Sequence, residues 1–255
     1  MTTVFFIHGM WVAPWVWDRF VPLFEAEGYR CMRTTLRYHG EGPEDPDPRL
    51  GTTSLLDYAA DLEREIRALD DLPVVIGHSM GGLLAQMLAA NGLARAAVLL
   101  TPASPHGVMA LRPSVIRSFA SIMGRWTFWT RPVRPTFAEA CYGILNVVPE
   151  SERCSLYDRF CHESGHAVAE IGLWVLDRHK AAAAEAARIM CPMLVIGAGC
   201  DRMTPPDVVR RVASRYPTAT YREFADHGHW LVGEPGSDKV AAGVIEWLKG
   251  QSIRP

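Results

Sequence analysis

Short apolar runs rich in strand-forming residues recur along this chain, and a segment with helical periodicity follows each of them. The six runs are residues 4–7, 30–34, 74–76, 97–100, 193–196 and 220–224. Strands that alternate with helices in this way are typical of a parallel sheet covered on both faces. Of the 255 residues, 49% are hydrophobic, which is enough to bury such a sheet. We therefore expect an α/β protein with a six-stranded, mostly parallel, doubly wound sheet.

The strand pattern stops between residues 104 and 188, where the sequence indicates helices interrupted by prolines. The pattern resumes at Ile189, and the sheet needs the strands that follow. We therefore predict a core made of residues 1–103 and 189–255. Residues 104–188 are predicted to be an inserted helical cap, which we call the cap segment.

Charge and cysteine content exclude several classes of function. The 26 Lys and Arg residues are balanced by 28 Asp and Glu residues, so the chain lacks the cationic excess of nucleic-acid-binding proteins. No apolar run approaches the roughly 20 residues of a membrane span, and the N-terminus has no signal-peptide pattern. Six irregularly spaced cysteines without a CxxC pair are expected to be free thiols. We expect a cytoplasmic protein without nucleic-acid partners or integral membrane contact.

Residues 74–83 read VVIGHSMGGL, a predicted strand that runs through G-x-S-x-G directly into a predicted helix. The pentapeptide alone is a weak signal, but a preceding strand and a following helix are the setting that the motif requires. A tight turn there lifts the serine hydroxyl clear of the sheet, and glycines flank it because larger side chains would collide. Ser79 is therefore the candidate nucleophile.

A serine nucleophile needs a base, and the base needs an acid that orients it. Asp201 follows the run at 193–196, and both His227 and His229 follow the run at 220–224. The chain order Ser, Asp, His is one that a strand–turn–helix serine uses.

Attack on a carbonyl also needs hydrogen-bond donors for the oxyanion that forms. The backbone amide of Met80 directly follows the candidate nucleophile, and that of Met10 follows the His8-Gly9 turn after the first strand. We expect these two amides to form an oxyanion hole.

With these four segments the chain resembles the α/β-hydrolase superfamily, specifically small serine esterases and lipases with a helical cap. The segments are FFIHGMWVAPWVW (5–17), GHSMGG (77–82), GAGCDRMTPP (197–206) and HGHWLVGEP (227–235). They lie in both core blocks. The first strand begins close to the N-terminus, which is similar to the compact plant esterases and hydroxynitrile lyases. The resemblance implies Ser79, Asp201 and His229 as a catalytic triad. It favours His229 over His227 because glutamate, here Glu234, commonly stands five positions after the family's histidine.

The activity implied by the resemblance is that of a serine carboxylic-ester hydrolase, which forms an acyl-enzyme on a small-molecule ester and uses no cofactor or metal. Two alternatives stay open. One is a hydroxynitrile lyase or another C–C bond-cleaving hydrolase, although that branch carries lysine where Trp230 stands. The other is a weakly catalytic small-molecule receptor built on the same scaffold.

A competing motif lies in the cap segment, where His162-Glu163-Ser164-Gly165-His166 fits the H-E-x-x-H of zinc peptidases, with Glu185 as a third ligand. Gly165 weakens the helix that would place both histidines on one face. Zinc would also leave the Ser, Asp, His order unexplained. We therefore expect no metal site and assign the two histidines to the cap surface or the pocket wall.

The cap segment is expected to select the substrate because it is the only large segment left to cover the site. Five arginines and no acidic residue lie between residues 104 and 138, which leaves lipid-surface contact through the cap open. Aromatic residues from core and cap are expected to line a pocket for neutral, apolar acyl chains. These predicted substrate-binding residues are Trp11, Phe119, Trp126, Trp174 and Trp230.

Overall fold

The computed structural model describes residues 1–39 and 45–255. Six strands form one fully parallel sheet in the order β2-β1-β3-β4-β7-β8, which confirms the predicted fold class. The strands are β1 (Thr3–Ile7), β2 (Arg30–Arg33), β3 (Val74–His78), β4 (Ala96–Leu100), β5 (Pro132–Val133), β6 (Glu163–Ser164), β7 (Met193–Ala198) and β8 (Ala219–Phe224). Strands β5 and β6 form a separate antiparallel ribbon.

Ten α-helices accompany the strands in the described part of the chain. They are α1 (Val21–Ala26), α2 (Leu55–Arg67), α3 (Met80–Ala90), α4 (Pro113–Ser118), α5 (Ala120–Met123), α6 (Phe137–Gly143), α7 (Glu150–Asp158), α8 (Gly165–Gly172), α9 (Pro206–Ala213) and α10 (Ser237–Gly250). Five short 3₁₀ helices add to these: Pro14–Trp17, Pro48–Thr52, Phe128–Thr130, Trp174–Leu176 and Ala186–Arg188. A capping box of Ser54 and Asp57 begins α2.

The two faces of the sheet carry separate hydrophobic clusters. Phe24 of α1 and Trp247 of α10 pack on one face, and Leu62, Leu83 and Val209 of α2, α3 and α9 pack on the other. Strands β3, β4 and β7 are buried along their whole length, as expected for central strands of a parallel sheet. Since all six strands run in one direction, the loops after their carboxyl ends meet at one edge.

The cap segment between β4 and β7 holds helices α4–α8 and the β5–β6 ribbon. The ribbon was not predicted because each of its strands has only two residues, too few to show a period. Tertiary contacts stabilise it instead: the side chain of Ser164 donates a hydrogen bond to the carbonyl of Thr53 at 2.6 Å, and the Cys161 amide donates one to the carbonyl of Trp11 at 2.9 Å. Among the described residues, no helix combines the length and apolar character of a membrane span.

Candidate active site

Ser79 lies in the turn between β3 and α3 with a φ of 54°, a left-handed conformation that costs energy for any residue with a Cβ. The turn is tight because the backbones around it are in contact. A Cβ on Gly77 would lie 2.0 Å from the carbonyl oxygen of Gly81, and one on Gly81 would lie 2.2 Å from that of Ile7. Both glycines are therefore required, as the sequence predicted.

The structure brings the three predicted residues from separate loops into one chain of hydrogen bonds. The Oγ of Ser79 lies 3.0 Å from Nε2 of His229, and Nδ1 of His229 lies 2.8 Å from Oδ2 of Asp201. All three residues are buried. In this arrangement His229 donates its Nδ1 proton to the carboxylate and accepts the serine proton at Nε2.

Residues that sequence reasoning missed hold Asp201 in place. Its Oδ1 accepts hydrogen bonds from the backbone amides of Met203 (2.7 Å) and Thr204 (2.9 Å). The hydroxyl of Thr204 lies 2.8 Å from Oδ2 and 3.1 Å from the carbonyl oxygen of Thr101. An aspartate that accepts amides two and three residues ahead is a common loop pattern, so D-x-x-T at 201–204 was the available signal.

The two neighbouring histidines have separate partners. Nδ1 of His227 lies 2.7 Å from Oε1 of Glu234, and the amide of Gly228 donates to the same oxygen at 2.8 Å. Glu234 thus fixes the loop, and His229 is the one that contacts Ser79. Beneath them, Nε2 of His78 lies 2.8 Å from the carbonyl oxygen of His229 and donates to it. Burial and the nearby His229 lower the pKa of His78 to about 3, so His78 is neutral.

The two predicted oxyanion amides lie beside the nucleophile. Met80 is the first residue of α3, so its N–H has no acceptor within the helix. Gly9 packs against the serine: a Cβ at this position would lie 3.0 Å from Cβ of Ser79. Met10, the next residue, lines a cavity together with Ser79.

This cavity measures about 950 Å³, counted out to its open mouth. Among the described residues, its wall contains Ser79, Ser104 and Thr204 as polar residues and no charged residue. The remaining wall is apolar and comes largely from α4, α5, α8 and the segment after α8. A ligand bound here would have apolar groups around one polar end near Ser79.

The predicted substrate-binding aromatics occupy three kinds of position. Phe119 and Trp174 line the cavity. Trp11 and Trp230 are buried and lie outside the lining: Trp11 packs on Phe119 with ring centroids 5.5 Å apart. Trp230 contacts the ring of His78, 6.3 Å between centroids.

The fifth aromatic, Trp126, differs from the expectation, because its side chain is 85% exposed and packs against Trp129 on the surface. It lies in the turn between α5 and the following 3₁₀ helix. The inward position of that segment belongs to Phe128, which is buried and lines the cavity.

The H-E-x-x-H segment does not form one helix. Glu163 and Ser164 belong to β6, and α8 begins only at Gly165. The carboxylate of Glu163 points into the core, while His166 is 3.2 Å from Glu170. Within residues 1–39 and 45–255, no group of three or more His, Cys, Asp or Glu side chains is placed to hold a metal ion.

A family model described as the alpha/beta hydrolase family matches residues 4–242. The chain therefore belongs to the alpha/beta hydrolase family.

Similar proteins carry different activities in their names. The magnesium-chelatase 30 kDa subunit of Rhodobacter capsulatus is 27% identical over 264 residues, which cover 96% of this chain and 86% of that protein. The crystal structure of the methylesterase MES16 from Arabidopsis has a TM-score of 0.71 at 13% identity, with 98% of this chain and 99% of the other covered. The monoacylglycerol lipase of Paleococcus ferrophilus has a TM-score of 0.68 at 22% identity, with 96% and 93% covered. These structures establish similarity of fold.

Proposed function

We propose that this protein is a serine carboxylic-ester hydrolase that acts on small, neutral esters with an apolar acyl group. The observation that carries the proposal is the continuous pair of contacts from Ser79 through His229 to Asp201, at 3.0 Å and 2.8 Å, at the polar end of an apolar cavity. Proteins of the same fold named as a methylesterase and a monoacylglycerol lipase support ester chemistry on this scaffold.

In the proposed reaction, Oγ of Ser79 bonds to the ester carbonyl carbon while Nε2 of His229 takes the serine proton. The oxyanion accepts hydrogen bonds from the N–H groups of Met10 and Met80. Collapse of the intermediate breaks the carbon–oxygen bond, and His229 gives its proton to the departing alcohol oxygen. Water then attacks the acyl-enzyme with His229 as base, which releases the acid and restores Ser79.

We further propose that residues 104–188 act as a cap that selects the acyl group. The cap segment supplies most of the apolar wall, including Phe119 and Trp174. The described residues of the wall carry no charge, and such a wall disfavours charged substrates because a buried charge would have no partner.

The test is the replacement Ser79→Ala combined with mass spectrometry of the wild-type protein after organophosphonate treatment. We expect Ser79→Ala to lose more than about 1,000-fold in turnover of nitrophenyl butyrate, since the nucleophile is gone. The wild-type protein should gain one adduct, located at Ser79. Retained turnover in Ser79→Ala, or an adduct at Ser104 instead, would overturn the proposal.

A further inference from the structure

A carboxylate of the cap segment reaches into the core and is fully buried there. Glu163 is 0% exposed, and its oxygens accept hydrogen bonds from the Tyr58 hydroxyl (2.7 Å), the Ser164 amide (2.6 Å) and Nε2 of His39 (3.0 Å). The other ring nitrogen of His39 lies 3.1 Å from the carbonyl oxygen of Arg37. Because both nitrogens face acceptors, only the protonated ring donates to both. Glu163 and His39 thus form an ion pair between cap and core.

The electrostatics of this pair agree with its geometry. Burial alone would lower the pKa of His39, but the adjacent Glu163 carboxylate raises it above its usual value. His39 is therefore the charged member of two neighbouring histidines.

The other histidine is His8, which directly follows β1 and has its ring centroid 5.0 Å from that of His39. Its Nε2 accepts a hydrogen bond from the amide of Leu36 at 3.2 Å, so the proton resides on Nδ1. That Nδ1 lies 2.9 Å from the carbonyl oxygen of Gly9 and donates to it. Burial and the nearby His39 lower the pKa of His8 to about 3, which keeps His8 neutral. A neutral ring is required, since it must accept on one side and donate on the other.

The carbonyl of Gly9 and the N–H of Met10 belong to one peptide group. A trans peptide is planar, and its C=O and N–H point in opposite directions. A hydrogen bond that fixes the direction of the Gly9 oxygen therefore also fixes the direction of the Met10 N–H. This peptide group lies beside Ser79, against which Gly9 packs.

We propose that His8 is a positioning residue that aims the Met10 N–H at the substrate oxyanion, and that Glu163 of the cap holds it there. Glu163 acts through His39, whose backbone amide donates to the carbonyl of Leu36 at 3.0 Å and so closes the turn that presents the Leu36 amide to His8. This inference rests on the proposed function, because the oxyanion belongs to the ester reaction.

The chain offers a matched control in a second carboxylate that joins the cap to the core. Glu170 of α8 is also buried and accepts hydrogen bonds from the Ser54 hydroxyl (2.6 Å) and the Leu55 amide (2.7 Å) at the start of α2. Ser54 and Leu55 lie at the start of α2, and the third neighbour of Glu170, His166, lies in α8. The described partners of the His8 ring are Leu36 and Gly9 instead. Removal of the Glu170 carboxylate therefore tests only how the cap is anchored. Removal of the Glu163 carboxylate tests both the anchoring of the cap and the direction of the Met10 N–H.

The first experiment compares Glu163→Ala with Glu170→Ala on nitrophenyl butyrate. We expect Glu163→Ala to lower kcat by about 10- to 100-fold, since complete removal of an oxyanion donor costs roughly 100- to 1,000-fold. KM should stay within about twofold, because the donor acts in the transition state. Glu170→Ala should lower kcat less than about threefold. Glu163→Gln should recover most of the lost kcat, because its amide can donate to Nε2 of a neutral His39.

The second experiment uses His8 and does not depend on the cap variants folding. His8→Asn keeps a short side chain that can donate to the Gly9 carbonyl, whereas His8→Leu has no donor. We expect His8→Leu to lose about 100-fold in kcat and His8→Asn less than about 10-fold. Affinity for a trifluoromethyl ketone, which adds to Ser79 and places an oxyanion in the same site, should fall in parallel with kcat.

Equal losses of kcat in Glu163→Ala and Glu170→Ala, a change confined to KM, or equal losses in His8→Leu and His8→Asn would overturn this inference. None of these results would contradict the proposed function. The proposed function fails on a different result, which is turnover retained by Ser79→Ala.

Discussion

The two walls of the cavity are built in different ways. The sheet wall exposes Ser79 and Thr204 to the cavity. Asp201 and His229 support it from behind: they have polar partners at fixed distances, and each follows the carboxyl end of a strand. On the cap side, the wall is apolar and continues into side chains partly open to solvent, such as Ile116 and Met123 of α4 and α5. Directional hydrogen bonds hold reacting groups in one geometry, as a chemical step requires. A wall formed by apolar packing tolerates changes of shape. The cap wall should therefore change with substrate while the sheet wall stays constant.

The largest expected effect tests the sheet wall at its two histidines. We expect His229→Ala to lower kcat by at least about 1,000-fold, because the serine loses its base. His227→Ala should lower kcat less than about 10-fold, since His227 contacts Glu234 instead of Ser79. Steady-state kinetics on nitrophenyl butyrate give both values. The opposite ranking would mean that the loop register is displaced by two residues.

The next effect concerns stability in acid. His8 and His78 have pKa values lowered to about 3 in the folded protein, against 6.5 when exposed. Between these values the unfolded chain binds two protons that the folded chain does not, so acidification favours unfolding. We expect the free energy of unfolding to fall by about 2.7 kcal/mol per pH unit from these two groups as pH drops below 6.5. Well below pH 6.5 His39 adds no slope, because it is then protonated in the unfolded chain and its raised pKa keeps it protonated in the folded protein.

Urea titrations across this pH range, repeated on His78→Gln, isolate one of the two groups. The variant should show a slope smaller by about 1.4 kcal/mol per pH unit, whatever its stability at neutral pH. An unchanged slope would mean that His78 is protonated in the folded protein.

A smaller effect distinguishes cap residues that line the cavity from cap residues on the protein surface. Each methylene added to the acyl chain should raise kcat/KM by up to about fourfold until the cavity is full, the equivalent of ~0.8 kcal/mol of burial. Trp174→Ala enlarges the cavity and should move the optimum to longer chains. Trp126→Ala, which changes an exposed tryptophan, should leave the profile unchanged. A profile that falls steadily from acetate upward would contradict an apolar acyl site.

The smallest expected effect is that of a chelator. The oxygens of Glu163 already accept hydrogen bonds from Tyr58 and His39, and His166 lies against Glu170. We expect EDTA or phenanthroline to leave kcat unchanged and His166→Ala to keep most of it. Activity lost on chelation and restored by zinc would make the cap segment part of the chemistry.

The sheet wall was the more predictable of the two. Four of its six strands have continuous apolar runs, and Ser79, Asp201 and His229 lie in the segments that follow strands, so topology alone brings them to one edge. The prediction missed Thr204, whose hydroxyl contacts Asp201, because a threonine in a polar loop has no periodic signal.

The cap wall was less predictable because its orientation depends on distant contacts. Glu163 belongs to a zinc-peptidase motif in the sequence, yet its partners His39 and Tyr58 lie more than one hundred positions earlier. Trp126 and Phe128 are two positions apart, and only docking on the core decides which of them faces the cavity. Local patterns cannot supply that information.

Some contacts of the cap segment can form earlier than others during synthesis. Chains emerge from the ribosome N-terminus first. Three partners of the cap segment, Ser54, Tyr58 and the carbonyl of Trp11, precede it in the chain, whereas others, such as Asp207, follow it. The part of the cap segment that contacts these three residues can therefore dock on a surface that has already been synthesised. Asp201 and His229 are translated only afterwards, with β7 and β8. A nascent chain would thus have part of its cap segment docked before it has the candidate base, and the proposed reaction would begin only when the last strand has joined the sheet.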